Sequence, residues 1–154
     1  MGAAEGNLAL SVIEKVKRVY LFETDMEWIE ALEATFAPWK EKVVIVNKFV
    51  SDKNEGNFIS LDAFFRDKEK FTFLKVDAEG AEGDILNGSE NLLTSSPGLK
   101  IALCCYHKPT DDKIFSEYLS KRGYAVSFAK GYMIFKENFI PPYLRRGVLR
   151  SEKR

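Results

Sequence analysis

Histidine occurs once in 154 residues, and cysteine only twice, side by side at Cys104 and Cys105. That excludes a disulfide framework and a Cys-x-x-Cys metal site, and a single His107 leaves no structural zinc site. Charge of either sign is not in excess, since 23 Lys and Arg meet 23 Asp and Glu. A globally basic nucleic-acid binder is excluded, and only local patches are left. No apolar run approaches the roughly 20 residues that a membrane span needs. Glu5 and Asn7 interrupt the start, so no signal-peptide pattern opens the chain, and a cytoplasmic location is expected. What is present is a 45% hydrophobic and 30% charged composition, the balance of a globular protein. A chain of this length buries roughly 68–70% of its unfolded surface, and residues 1–154 read as one domain.

Strand and helix patterns alternate from end to end. Val19-Tyr20-Leu21-Phe22 is a short β-rich run ending at Glu23. Met26 to Phe36 has helical spacing, with Trp28, Ile29, Leu32 and Phe36 on one face and Asp25 able to cap it. Lys42 to Val50 reads as the next strand. Ser60 caps a short helix. Phe71 to Val76 is a third strand and again ends at an acid, Asp77. Gly83 and Gly88 predict a bend within the helical stretch from Ala81 to Leu93. Lys100 to Tyr106 is a fourth strand, and Thr110 to Arg122 a helix with Ile114, Tyr118 and Leu119 inward. Tyr124–Phe128 and Tyr132–Phe135, joined by Ala129-Lys130-Gly131, carry a hairpin signal. From residue 140 onward the chain reads as an extended basic tail. Near-continuous apolar strands separated by helices predict an α/β fold, a mostly parallel sheet covered on both faces, with an antiparallel hairpin at one edge. Such sheets bind ligands beyond the carboxyl ends of their strands.

Two constellations lie at those ends. The first is Gly2-Ala3-Ala4-Glu5-Gly6, followed by an apolar helical stretch. Small residues let a backbone approach a ligand. Glu23 follows on the next strand, and in dinucleotide-type folds an acid so placed accepts ribose hydroxyls. The second is Lys75-Val76-Asp77-Ala78-Glu79-Gly80-Ala81-Glu82. Glu79 and Glu82 suit a helix N-terminus, and that bland reading covers Glu82. It accounts less well for Asp77, directly after a buried strand. His107 is either a strand-end residue bonded to backbone or a general base, because its titration lies near neutral pH. Asp77, Glu79 and His107 are also donors able to hold a divalent cation, but such clusters are common without one, and no metal site is assigned. Cys104, Cys105, Trp28 and Trp39 read as packing residues. The cationic run from Arg145 reads as a solvated tail, with capture of an anionic acceptor as its sharper alternative.

Lys75-Val76-Asp77-Ala78-Glu79-Gly80-Ala81-Glu82, with Ile85-Leu86-Asn87-Gly88 after it, resembles the signature of the FkbM-type methyltransferases. Phe22-Glu23, Val50-Ser51-Asp52, Ser60-Leu61-Asp62, Tyr106-His107 and Arg145-Arg146-Gly147-Val148 resemble further segments of that family in the same order. The resemblance implies a class I Rossmann-like methyltransferase fold and S-adenosylmethionine as cofactor. It places the methionine end of the cofactor on the loop Gly2, Ala3, Glu5 and Gly6, the ribose on Glu23 and the adenine beside Asp52. His107, Asp77 and Glu79 would line the pocket of a small-molecule or glycan acceptor, whose hydroxyl would receive the cofactor's methyl group. Two features depart from the family. Thr24 stands where it has proline, and its first, central strand has no counterpart ahead of Gly2. The second departure gives the alternative of a non-catalytic, methyltransferase-like binding or assembly module. A nicotinamide dehydrogenase fits Glu23 as well but lacks the full Gly-x-Gly-x-x-Gly spacing.

Overall fold

The alternation of Val19, Tyr20, Leu21 and Phe22 sends successive side chains to opposite faces, and both faces are covered. In the computed structural model, which describes residues 1–134, 141 and 143–153, these residues form strand β1 (Val19–Phe22). Leu21 packs with Ala9, Leu32 and Phe36 on one side of it. Phe22 belongs to the larger core on the other side, with Leu74, Val76, Leu103 and Leu149. Ahead of β1 lies α1 (Asn7–Val12), which buries only Ala9 before a 3₁₀ turn over Ile13–Lys15. Helix α2 (Met26–Phe36) is capped by Asp25, whose Oδ1 accepts the Glu27 N–H at 2.9 Å. Its buried stripe is Ile29, Leu32 and Phe36, while Trp28 is exposed, contrary to the packing role expected of it.

The expected strand over 42–50 divides into β2 (Val43–Val46) and β3 (Phe49–Val50). β2 runs parallel to β1, and β3 pairs with β4 (Phe58–Ile59). Ser60 caps α3 (Leu61–Phe64) through the Ala63 N–H. β5 (Phe73–Val76) leads to α4 (Glu82–Asn87) and α5 (Glu90–Ser95), the expected bend falling at Gly88. β6 (Lys100–Cys104), α6 (Asp111–Ser120) and β7 (Tyr124–Phe128) follow. On α6 Asp111, Phe115 and Leu119 are buried and Tyr118 packs against the core, so Leu119 and Tyr118 face inward as expected while Ile114 faces solvent, its expected place taken by Phe115.

Two expectations at the carboxyl end are corrected. β7 and β8 (Met133–Ile134) do not form a hairpin with each other. β8 pairs with β9 (Leu144–Arg145), and β7 pairs with β10 (Val148–Lys153). Phe135, the expected end of the second hairpin strand, lies outside the described residues. The segment read as a basic tail holds β10, which is antiparallel to both β6 and β7 and sits between them. Leu149 and Ser151 point inward and are buried, while Arg150 and Glu152 point out. The charged outer face hid a strand of period two.

The sheet order is β5-β6-β10-β7 in one sheet and β1-β2 in another. The facing edges of β1 and β5 line a cleft of about 710 Å³. Val19 and Glu23 bond to β2, so alternation turns the backbone groups of Tyr20 and Phe22 toward the cleft. Thr72 bonds to β6, so those of Phe73 and Lys75 face it from the other side. No strand among the described residues pairs with either edge. At the mouth, the α-amino group of Met1 donates to the Lys75 carbonyl at 3.0 Å.

Candidate active site

Glu23 leaves β1 where the chain turns toward α2, and its carboxylate turns back on the glycine loop. Oε2 accepts the Ala4 N–H at 3.0 Å, and Oε1 accepts those of Thr24 at 2.8 Å and Asp25 at 3.2 Å. Burial acts to raise its pKa, but these N–H groups outweigh it and hold the carboxyl below its ordinary 4.5. The Ala3 N–H adds to them, so the carboxylate is turned largely onto backbone donors.

The loop is tightly set. A β-carbon on Gly2 would lie 1.8 Å from the Asp77 carbonyl oxygen, and one on Gly6 would lie 2.7 Å from the Phe36 ring. Both glycines have positive φ, as does Ala4 at 42°. The glycines are therefore demanded by close packing against β5 and α2. The Gly6 N–H closes a turn on the Ala3 carbonyl at 2.8 Å, and Glu5 is exposed. Asp52 is an exposed residue on the turn after β3, where Ser51 Oγ donates to it at 3.1 Å. No hydrogen bond among the described residues joins it to the loop or to Glu23.

Lys75 connects this loop to the second constellation. Its Nζ donates to the Gly2 carbonyl at 3.1 Å and pairs with Asp77 Oδ2 at 3.3 Å. Asp77 Oδ1 in turn accepts the Tyr106 hydroxyl at 2.9 Å and lies 3.2 Å from His107 Nε2. Burial acts to raise the pKa of Asp77. The Lys75 charge and the hydrogen bonds from Tyr106 and His107 outweigh it and hold the carboxyl low. Burial, reinforced by Asp77, pushes the Tyr106 phenol well above its ordinary value. Burial, again reinforced by Asp77, pushes the Cys104 thiol up to about 12. Burial and nearby acids do the same to Cys105, also to about 12. Neither cysteine is thus a thiolate nucleophile near neutral pH, in line with the expected packing role.

Glu79 and Glu82 exchange the weight the sequence gave them. Glu79, at a positive φ of 50°, is 92% exposed in its side chain, and its Oε2 lies 3.7 Å from His107 Nδ1. Glu82 is fully buried, and its Oε1 lies 3.4 Å from His107 Nε2 while accepting the Ala78 N–H at 2.8 Å. Tyr106 and Lys75 were not singled out for this site either, and Arg145 only as the start of a run with anionic-acceptor capture as its sharper alternative. Arg145 is buried at 5% exposure and donates from Nη1 to the carbonyls of Tyr106 at 2.7 Å and His107 at 3.0 Å. It is thereby a positioning residue for the loop carrying both rings, and the expected solvated tail is corrected at this position. Arg146 stacks over Tyr132 at 4.5 Å.

The model of the methyltransferase FkbM domain matches residues 50–126, half of the chain. No curated protein matches the chain in sequence. Among solved structures, the chain is similar to an FkbM methyltransferase from Methylobacillus flagellatus KT, with TM-score 0.76 and 18% identity. The match covers 97% of this chain but 41% of that protein, so the chain spans less than half its length. A precorrin-6y C5,15-methyltransferase from Geobacter metallireducens GS-15 matches with TM-score 0.65 and 13% identity, covering 99% of this chain and 78% of the other. An rRNA methylase from Streptococcus thermophilus matches with TM-score 0.63 and 15% identity, covering 98% and 82%. At these identities the structures establish a shared α/β methyltransferase fold. With the family model spanning Asp52, Asp77, Glu79 and His107, the chain belongs to the FkbM methyltransferase family.

Proposed function

We propose that the chain binds S-adenosylmethionine and transfers its methyl group to a hydroxyl of a small-molecule or glycan acceptor. The observation that carries the reading is the Lys75 bridge, which sets the Glu23-clamped loop directly against the Asp77–Tyr106–His107 cluster. The donor set fits the cofactor. Glu23 is anionic and partly exposed, so a ribose hydroxyl would share its oxygens with the backbone N–H groups already there. The Gly2–Gly6 loop lies beside that carboxylate and would hold the methionine end, with Ala3 and Glu5 on it. Asp52, on a separate turn, is the weakest member of the set and would meet the adenine only from that turn.

When bound, the sulfonium supplies an activated methyl group. The protein's part is alignment, exclusion of water and removal of one proton. Alignment of acceptor oxygen, methyl and sulfur supplies much of the acceleration in an in-line displacement. His107 is placed to take the hydroxyl proton, with Asp77 orienting the ring and Glu79 at its outer nitrogen. Tyr106, held protonated, serves as a hydrogen-bond donor in that pocket.

Binding of S-adenosylhomocysteine tests the reading without knowledge of the acceptor. Calorimetry is expected to give saturable binding, and the thermal midpoint is expected to rise with ligand concentration. Charge-assisted hydrogen bonds are each worth about 1.5–3 kcal/mol, so Glu23→Ala is expected to weaken binding at least tenfold. His107→Ala, on the acceptor side, is expected to stay within about threefold. No binding by the chain favours the second reading, a non-catalytic module, which the open edges of β1 and β5 support.

A further inference from the structure

Glu82 is wholly buried, and only one of its two carboxylate oxygens has a partner. Oε1 accepts the Ala78 N–H, whereas Oε2 has no hydrogen bond among the described residues. A carboxylate withdrawn from water and left half-satisfied calls for a cation or a proton. The groups around it supply no proton donor to that oxygen, and they add negative charge. Asp77 Oδ1 lies 3.2 Å from His107 Nε2, and Glu82 Oε1 lies 3.4 Å from the same nitrogen. A single Nε2–H can serve one of these carboxylates fully, not both. Asp111 is buried beside them, its pKa raised by burial and by the Glu82 charge. Lys75 pairs with the other oxygen of Asp77 and with the glycine loop.

One donor atom from each of Asp77, Glu82 and His107 falls within a 4.8 Å cluster. The 3.2 and 3.4 Å separations approach the edge of about 3 Å between adjacent ligands of an octahedral ion with 2.0–2.2 Å bonds. We propose that Asp77, Glu82 and His107 form a divalent-cation site at the end of β5. His107 Nε2 and one oxygen of each carboxylate are the protein ligands, and water or acceptor oxygens complete the shell. Two hard oxygens with one imidazole suit a Mn²⁺-like ion. Metal on Nε2 leaves the proton on Nδ1, which faces Glu79 Oε2 at 3.7 Å, so in the metal-loaded state His107 is a ligand in place of the base role proposed above. Glu79 then acts as the outer carboxylate that orients a ligating histidine. Assignment of Glu82 in place of Glu79 as a ligand departs from the donor set expected from sequence.

The site is tested by metal binding alone, so the outcome does not depend on whether the chain transfers methyl groups. Mn²⁺ is titrated into the full chain and free Mn²⁺ is followed by electron paramagnetic resonance, with Mg²⁺ and Zn²⁺ as competitors. One saturable Mn²⁺ per chain is expected, with a thermal midpoint that rises with Mn²⁺ and returns on chelation. Glu82→Gln and His107→Ala are each expected to weaken binding at least tenfold. Asp84→Asn, an exposed acid on the same helix, is expected to change it less than about twofold. Should Glu82→Gln fail to fold by circular dichroism, His107→Ala decides. Absence of saturable binding for all three ions, or full binding retained by the folded variants, overturns the proposal.

Discussion

A β-carbon at Gly88 would lie 2.1 Å from the Ser51 carbonyl oxygen and 2.9 Å from its carbonyl carbon. Gly88 has negative φ, so close approach of backbone, and not conformation, demands glycine here. The obstacle is main chain and cannot rotate away, and the Asp62 N–H also bonds to the Gly88 carbonyl at 3.0 Å. Gly88→Ala is therefore expected to destabilise by about 1–3 kcal/mol, the usual cost of overpacking. Urea unfolding with an unchanged midpoint would contradict the close approach. Glu23 gives a residue-scale prediction with a pH signature. Its carboxyl pKa is held below the ordinary 4.5, so its contribution is present above that value and lost as pH falls through the folded pKa. Glu23→Gln puts an amide where Ala4, Thr24 and Asp25 offer N–H groups. It is expected to lower the thermal midpoint at pH 7, with the gap to the parent closing as pH falls below 4.5 and through the depressed folded pKa. A gap that persists unchanged in acid would assign the loss to shape and not charge.

At the scale of elements, β1 and β5 present facing backbone edges across one cleft, and a single extended segment can bond to both. The Met1 amino group already makes one such bond, to Lys75, in a setting where burial and the Lys75 charge lower its pKa to about 5. A peptide N–H at that position would keep the bond without an ionisable group. A variant carrying five added β-branched residues ahead of Met1 is expected to raise the urea midpoint and the m-value together, because more surface is buried in the native state. A polar, proline-containing extension of equal length is the control. Equal midpoints for both would mean that the cleft does not accept a strand. The two strands that line the cleft were legible as apolar runs ending in acids, but nothing in their local pattern showed that they would leave their facing edges without a strand partner among the described residues. The candidate site was legible in part. Glu23, Asp77 and His107 stand at strand ends, where chemistry is expected in such folds. Glu82 was not legible, because a glutamate in the first turn of a helix satisfies the helix dipole whether it is exposed or buried. Tyr106 and Lys75 were hidden for a related reason. Their value lies in partners 29 and 73 residues away, which no local pattern records.

For the whole molecule, the decisive element is the one that sequence made least conspicuous. β10 joins β6 over Val148–Glu152 and β7 over Leu149–Lys153, so the last described residues form an interior strand of the four-stranded sheet. Leu149 is completely buried in the larger core, and Lys153 Nζ bonds to the Leu93 carbonyl at 3.0 Å. The strand also reaches the site. The Cys105 N–H bonds to the Gly147 carbonyl at 3.0 Å, and Arg145, just before it, holds the carbonyls of Tyr106 and His107. Stability and site geometry should therefore fail together. Leu149→Ala is expected to cost about 2–5 kcal/mol while leaving the chain folded. Deletion of residues 148–154 removes both ladders and exposes two edges, and is expected to abolish cooperative unfolding. Arg145→Leu is the discriminating variant. It leaves β10 in place but frees the Tyr106–His107 loop, so the urea midpoint should move less than in Leu149→Ala. The amide signals of Tyr106 and His107 should nonetheless shift and broaden. If the deletion unfolds cooperatively at the parent midpoint, β10 is peripheral. If Arg145→Leu leaves those two amides unmoved, the loop is set by Asp77 and Glu82 alone.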